Sequence, residues 1–571
     1  MGVALLLCAT SVSAPAVGSA QAPQATDWER FVATFLEESF AANPTFAVWA
    51  GRHEYDGRLP DWTAEGLAGE LQRLRSARER ARSFDPQRLS AGHRFEREYL
   101  LAELDGDIFW RAEADWPHRN PLFYAFSLSP DIYLTREYAP LADRMAAYTR
   151  YASNLPGALS QVRRNLRTPL PRTYVETAHG IFSGMATLFS EMVPSVFAGV
   201  DDAVRQAAFT EANQRAIAAA REMTAWLDAQ RAAATDDYAL GAERYRAMLR
   251  QTERVDAPLA QLKAIGQRDL ERNLAALREA CAAYAPREPI PGCIDQAKSH
   301  KPDEGTVDGA RRQLAGLKTF LVDHDLVSIP GSEEARVDEA PPHQRWNLAY
   351  IDVPGPYEGN LPSIYYIAPP NPAWSAEERR AYLPGEGDLL FVTVHEVWPG
   401  HFLHFLHAKR TAATIGRLFF SYAFTEGWAH YTEEMMWEAG LGNGDPELHI
   451  GQLTNALLRN VRFLSSIGLH TEGMSVAESE RMFREYAFQD PGNARQQAAR
   501  GTFDPGYLNY TLGKLMIRQL REDWTAARGG REAWRAFHDQ LLSYGAPPIP
   551  LVRAAMLGAD AGPVLRTGTR R

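Results

Sequence analysis

Long stretches of helical patterning, almost free of internal proline, limit what this chain can fold into before any motif is considered. "DDAVRQAAFTEANQRAIAAAREMTAWLDAQRAAA" and "APLAQLKAIGQRDLERNLAALREAC" are rich in Ala and Arg. "DWERFVATFLEESFAANP" sets Phe31, Phe35, Leu36 and Phe40 on one helical face, with Pro44 just beyond its end. Helices of this length each bury one stripe against a neighbour, which predicts a mainly α structure of packed helices. With 571 residues the chain can build several lobes or one large cleft enzyme.

The texture changes near residue 340. "HQRWNLAYIDVPGPYEGNLPSIYYIAPPNPAW" holds β-formers in short runs cut by Pro and Gly, the pattern of a small sheet or hairpin. Helical patterning resumes at "SAEERRAYL", where Ser375 and Glu378 fit a capping box. The chain therefore divides into a leader, 1–20, a helical half, 21–340, and a second half, 341–571, with the two halves intertwined.

"MGVALLLCATSVSAPAVGSA" reads as an export signal cut near Ala20, although no Lys or Arg precedes its apolar core. Cys8 follows three leucines, a poor setting for lipid attachment. Without the leader only Cys281 and Cys293 remain, on either side of a Pro-rich loop, and export would favour their pairing. No later segment reaches the roughly 18 apolar residues of a membrane span. The net charge of −10, with no basic tract, argues against nucleic-acid binding. The expected location is the periplasm or the medium.

Chemistry concentrates in "FVTVHEVWPGHFLHF". In H-E-x-x-H two imidazoles lie one turn apart and can share a metal. Here His395 and His401 are six residues apart, about 240° round an unbroken helix, too far to meet. Pro399 removes an N–H and collides with the preceding turn, Trp398 is pushed out of the α region, and Gly400 accepts unusual backbone angles. A break there would let His401 swing back beside His395.

A catalytic zinc needs a third protein ligand and an open position. "FSYAFTEGWAHYTEEMMWEAG" is an apolar-faced helix carrying Glu426, which would complete a His₂Glu set. Glu433 lies two turns on, and it or His430 could hydrogen-bond a ligand from behind. Glu434 and Glu438 read as solvated charges. The same histidines, with His404 and His407, would also fit the polar edge of a packed helix, so a non-catalytic helical binding protein stays open.

On these residues the chain resembles the bacterial family known as domain of unknown function 885. The likeness covers most of the chain after the leader: "NPTFAVWAGRHEYDGRLPDWT", "HEVWPGH" with "TEGWAHYTEE", and "DPGYLNYTLGKLMIRQLRED". His404 departs from the Gln the family often has there. The family is similar in motif and helical make-up to zinc peptidases of the thimet oligopeptidase and angiotensin-converting-enzyme type. That resemblance implies a clam-like helical fold with a deep channel, and one Zn2+ on His395, His401 and Glu426. It also implies peptide substrates, Glu396 as general base, and a Tyr from the C-terminal segment, Tyr510 first and Tyr507 second, as donor to the oxyanion. From the same source comes the expectation that "SIYYIAP", with Tyr365 and Tyr366, pairs with an extended peptide. Lys514 and Arg518 follow Tyr510 at one-turn steps and could hold a substrate carboxylate. A zinc hydrolase of a non-peptide amide or ester would use the same ligands and base.

Overall fold

The computed structural model describes residues 26–566 apart from 342, 343, 346, 347, 360, 373 and 559; the expected export signal and Cys8 lie outside these. The described chain is mainly α with one three-stranded sheet. Helix α1 (Asp27–Ala42) starts at a capping box between Thr26 and Glu29 and buries Phe35, Leu36 and Phe40 as the spacing predicts, with Val32 buried in place of the partly exposed Phe31. Each large apolar side chain buried in this way contributes roughly 1.5–3 kcal/mol.

Helices α2 (Leu141–Asn165) and α3 (Arg172–Thr187) both pack on α4 (Ala203–Gln230), in a core that includes Tyr148, Phe182, Phe189 and Phe209. The run Arg172–Phe197 is long and apolar enough to cross a membrane, with a hydropathy of 1.2, contrary to expectation. Its Val175, Phe182, Phe189 and Phe197 are instead buried in this core.

A larger core draws residues from Phe109 to Leu565, on both sides of residue 340. Cys281, in the last turn of helix α5 (Leu259–Tyr284), is bonded to Cys293 of α6 (Ile290–Ser299), as the leader and the Pro-rich loop predict. After α7 (Thr306–Asp323) come β1 (Ala335–Glu339), β2 (Ala349–Asp352) and β3 (Ser363–Ile367). Their order is β1-β3-β2, with β1 parallel and β2 antiparallel to β3. The sheet thus begins a few residues before the change of texture, since polar "ARVDE" gives little strand signal. Ser375 and Glu378 do form the capping box of α8 (Ala376–Tyr382).

Six further helices build the site: α9 (Glu386–Glu396), α10 (His401–Ala408), α11 (Tyr422–Glu438), α12 (Pro446–Thr471), α13 (Pro491–Phe503) and α14 (Asn509–Thr525). α11 packs along α14, and α12 packs along α5 and α9. The α11–α14 crossing needs glycine on both sides. A Cβ on Gly427 would stand 2.4 Å from the Gly513 Cα, and one on Gly513 would stand 1.8 Å from the Ala423 carbonyl oxygen. This close approach sets Tyr510, one turn before Gly513, against the face of α11 that carries Glu426.

Candidate metal centre

α9 ends on the His-Glu pair, and the backbone leaves the helix at Val397 with φ −123° and ψ −78°. The Gly400 N–H returns to bond the Val394 carbonyl at 3.0 Å, and α10 starts at His401. The interruption falls where Pro399 and Gly400 predict it. A Cβ on Gly400 would lie 1.8 Å from the His395 carbonyl oxygen, so no other residue fits this return. The Trp428 indole N–H on α11 donates to the Pro399 carbonyl at 2.8 Å and to that of Gly400 at 3.3 Å. Trp428 was not anticipated; a buried indole two residues past a candidate ligand was the available signal.

The break brings the His395 and His401 rings to 4.7 Å between centroids at 89°. Glu426 Oε2 lies 3.4 Å from His395 Nε2 and 3.3 Å from His401 Nε2. Charge-assisted hydrogen bonds are shorter, about 2.7–2.9 Å, and this buried oxygen accepts no hydrogen bond. Ligand atoms held about 2.0–2.1 Å from a tetrahedral zinc stand about 3.3 Å from one another. All three candidate ligand atoms lie within 4.8 Å of one another. The donor set therefore fits a metal ion at its centre.

Behind this set, Glu433 Oε1 accepts from His395 Nδ1 at 2.7 Å and pairs with Arg459 Nη2 at 3.1 Å. Such a carboxylate fixes the ring so that Nε2 faces the centre. His430 Nδ1 is 3.4 Å from Glu433 Oε2, so His430 stands one layer further out; burial pushes it down to about 4 and keeps it neutral. Burial would raise Glu433, but Arg459, His430 and His395 hold its carboxyl well below the usual range. Burial and Arg459 act to lower His395, yet the facing Glu426 carboxylate and the bond to Glu433 lift it to about 9. Burial raises Glu396 despite the two nearby imidazoles, and its Oε2 accepts from the Ile351 N–H of β2 at 3.1 Å.

The other two histidines of α10 are not part of the set. Burial pushes His404 down to about 3, and its ring packs on Phe405 and Phe424. His407 Nε2 donates to the Ser328 carbonyl at 2.9 Å.

Tyr510 stacks near His395, 6.4 Å between ring centroids and 18° between planes. Tyr507 does not join it: its ring is fully buried and its hydroxyl donates to Ser465 at 2.9 Å. Lys514 is not available to substrate either, because its fully buried ammonium pairs with Asp269 at 2.7 Å and Glu434 at 3.2 Å. Arg518 and Arg272 close the same ion network on Glu434, both at 2.8 Å. Glu434 is thus a buried hub rather than a solvated charge, while Glu438 is a half-exposed partner of Arg521.

β3 is the middle strand, with β1 and β2 occupying its two edges, so the peptide pairing expected for Tyr365 and Tyr366 has no free edge there. Tyr365 is buried against Thr393, and Tyr366 packs on Tyr350. β2, not β3, borders Glu396.

Three arginines that sequence reasoning missed surround the Tyr510 ring: Arg462 at 4.9 Å, Arg459 at 5.8 Å and Arg500 at 5.9 Å. For Arg459 and Arg462 the signal was two Arg in "ALLRNVRFLSSIGLH", a stretch of α12 otherwise patterned for burial; Arg500 lies on α13.

No sequence among curated proteins matches the chain. Among solved structures, a candidate lipoprotein of unknown function from Shewanella oneidensis matches with a TM-score of 0.78 and 23% identity, over 93% of this chain and 100% of that one. A candidate lipoprotein from Colwellia psychrerythraea matches with a TM-score of 0.79 and 17% identity, over 93% of this chain and 99% of that one. At these identities the likeness is one of fold. An M32 carboxypeptidase from Deinococcus radiodurans R1 reaches a TM-score of only 0.36 at 14% identity, over 88% and 96% of the two chains, too low to equate the folds. The motifs around His395, Glu426 and Tyr510 all lie inside residues 44–556, the span matched by the model of bacterial proteins of unknown function DUF885, and the chain belongs to that family.

Proposed function

We propose that this protein is an exported, zinc-dependent peptidase that hydrolyses short peptides. The observation that carries the reading is the buried Glu426 Oε2, which faces two imidazole Nε2 atoms and accepts no hydrogen bond from either. His395, His401 and Glu426 would hold the ion, with Glu433 orienting His395. A bound Zn2+ supplies Lewis acidity and makes a water acidic enough to act as nucleophile near neutral pH.

Glu396 is the general base. Its raised carboxyl, adjacent in sequence to His395, accepts a proton from the attacking water and returns it to the leaving amine. Burial makes it a better proton acceptor near pH 7 than an exposed carboxylate. Tyr510 donates its phenol to the oxyanion as the carbonyl becomes tetrahedral. The edge strand β2 lies beside Glu396 and offers backbone for an extended substrate.

Export is supported by the apolar leader, the Cys281–Cys293 bond and the relatives described as candidate lipoproteins. A peptide-library assay on wild type and Glu396→Gln tests the activity. The variant should keep its zinc and lose about 10²–10⁴-fold in kcat; undiminished turnover would remove Glu396 from the base role.

A further inference from the structure

Arg462 is 8% exposed, and its Nε donates to Gln497 at 2.9 Å. Arg500 and Arg459 lie near it, with the phenols of Tyr510 and Tyr422, and among the described residues no carboxylate comes within ion-pair distance of it. Its two neighbours are balanced. Arg459 pairs with Glu433 at 3.1 Å, and Arg500 pairs with Asp504 at 2.9 Å while donating to the Tyr422 hydroxyl at 3.0 Å. Two of the three guanidiniums thus have a carboxylate in ion-pair contact and Arg462 has none, while Glu426, on the same Tyr510 ring, faces the two imidazoles. A buried charge without a counter-charge costs several kcal/mol, and a site that keeps one is built to receive an anion.

The position says which anion. The Arg462 guanidinium lies 4.9 Å from the centroid of the Tyr510 ring, which itself lies 6.4 Å from that of His395. One ring therefore separates the unbalanced charge from the metal ligands. An extended peptide covers roughly 3.3–3.6 Å per residue, so these two steps span at most about three residues.

We propose, resting on the peptidase reading above, that Arg462, with Arg500 and Tyr510 beside it, binds the free C-terminal carboxylate of the substrate. The products are then a shortened peptide and a C-terminal fragment of one to three residues. Hydrolysis adds one water across the amide: the hydroxyl goes to the new carboxyl group and the proton to the released amine. The role first assigned to Lys514 and Arg518 falls on Arg462, because those two are neutralised inside the Asp269–Glu434 network.

The test uses a mixed pool of N-acetylated pentapeptides, made once with free C-termini and once amidated. Retention on immobilised, zinc-loaded Glu396→Gln protein is read by mass spectrometry, so that binding is measured without turnover. The acid pool should be retained at least about tenfold better than the amide pool, the scale of one charge-assisted hydrogen bond. Adding Arg462→Gln should bring that ratio close to one, and Arg462→Lys should restore part of it. Equal retention of the two pools, or a preference that survives Arg462→Gln in a protein of unchanged melting temperature, overturns the proposal. Should Arg462→Gln fail to fold, the acid-to-amide ratio with Arg462 in place still decides.

Cleavage by the wild-type enzyme separates the two readings. Acid-selective retention without hydrolysis of either pool keeps the anion site and removes the peptidase. Hydrolysis of both pools at equal rates keeps the peptidase and removes the anion site.

Discussion

The indole N–H of Trp428 donates to the carbonyl of Pro399 at 2.8 Å. One helix therefore supplies the candidate ligand Glu426 and, two residues later, clamps the chain break that brings His401 to it.

Trp428→Phe keeps most of the packing and removes this bond. The buried Pro399 carbonyl then lacks its indole donor, at a cost of about 1–3 kcal/mol. Denaturant unfolding should show that loss, and zinc competition with a chelator should show weaker binding. Unchanged zinc affinity would mean that the break holds its shape without the clamp.

Lys514→Met tests the reassignment of α14. Removing one partner from a buried ion network leaves uncompensated charge on Asp269 and Glu434 and should cost about 3–5 kcal/mol of stability. The folded fraction should still bind zinc and peptide. A large rise in KM with no loss of stability would return Lys514 to substrate binding.

Much of the centre was legible because its determinants are local. Pro399 and Gly400 break a helix through their own backbone chemistry, and the acid in an apolar helix at Glu426 stands out in any context. The face that α14 presents is set instead by Asp269 and Glu434, far away in sequence, so Lys514 and Arg518 looked like an open row of donors. Tyr510 stood ahead of Tyr507 by resemblance only, since the local sequence does not separate them; the packing does, setting Tyr510 beside His395 and tying the Tyr507 hydroxyl to Ser465. The strand order was hidden too, since β3 reads as a strand but not as the middle one. Arg459 and Arg462 drew no attention because Arg on a helix usually reaches solvent.

The N-terminal region carries a pH-sensitive contact of its own. His53 lies 3.1 Å from Asp56 and 3.3 Å from Glu358, with its ring stacked on Tyr138. Burial opposes its charge, but the bonds to Asp56 and Glu358 outweigh that and lift it to about 9. In the unfolded chain a His titrates near about 6.5. The folded state therefore holds the proton more tightly, and this contribution is full below pH about 6.5 and lost as pH rises through about 9. Urea unfolding of wild type should weaken across that window. His53→Gln should flatten the change, and an identical slope in the variant would remove His53 as its source.

The central claim is that two imidazoles and one carboxylate surround a metal ion, and elemental analysis of the purified protein tests it most directly. One zinc per chain is expected in wild type and in Glu396→Gln, with loss of most of it in His401→Ala and Glu426→Ala. A wild-type protein that stays metal-free after incubation with zinc, or a Glu426→Ala variant that binds zinc as tightly, would contradict the account.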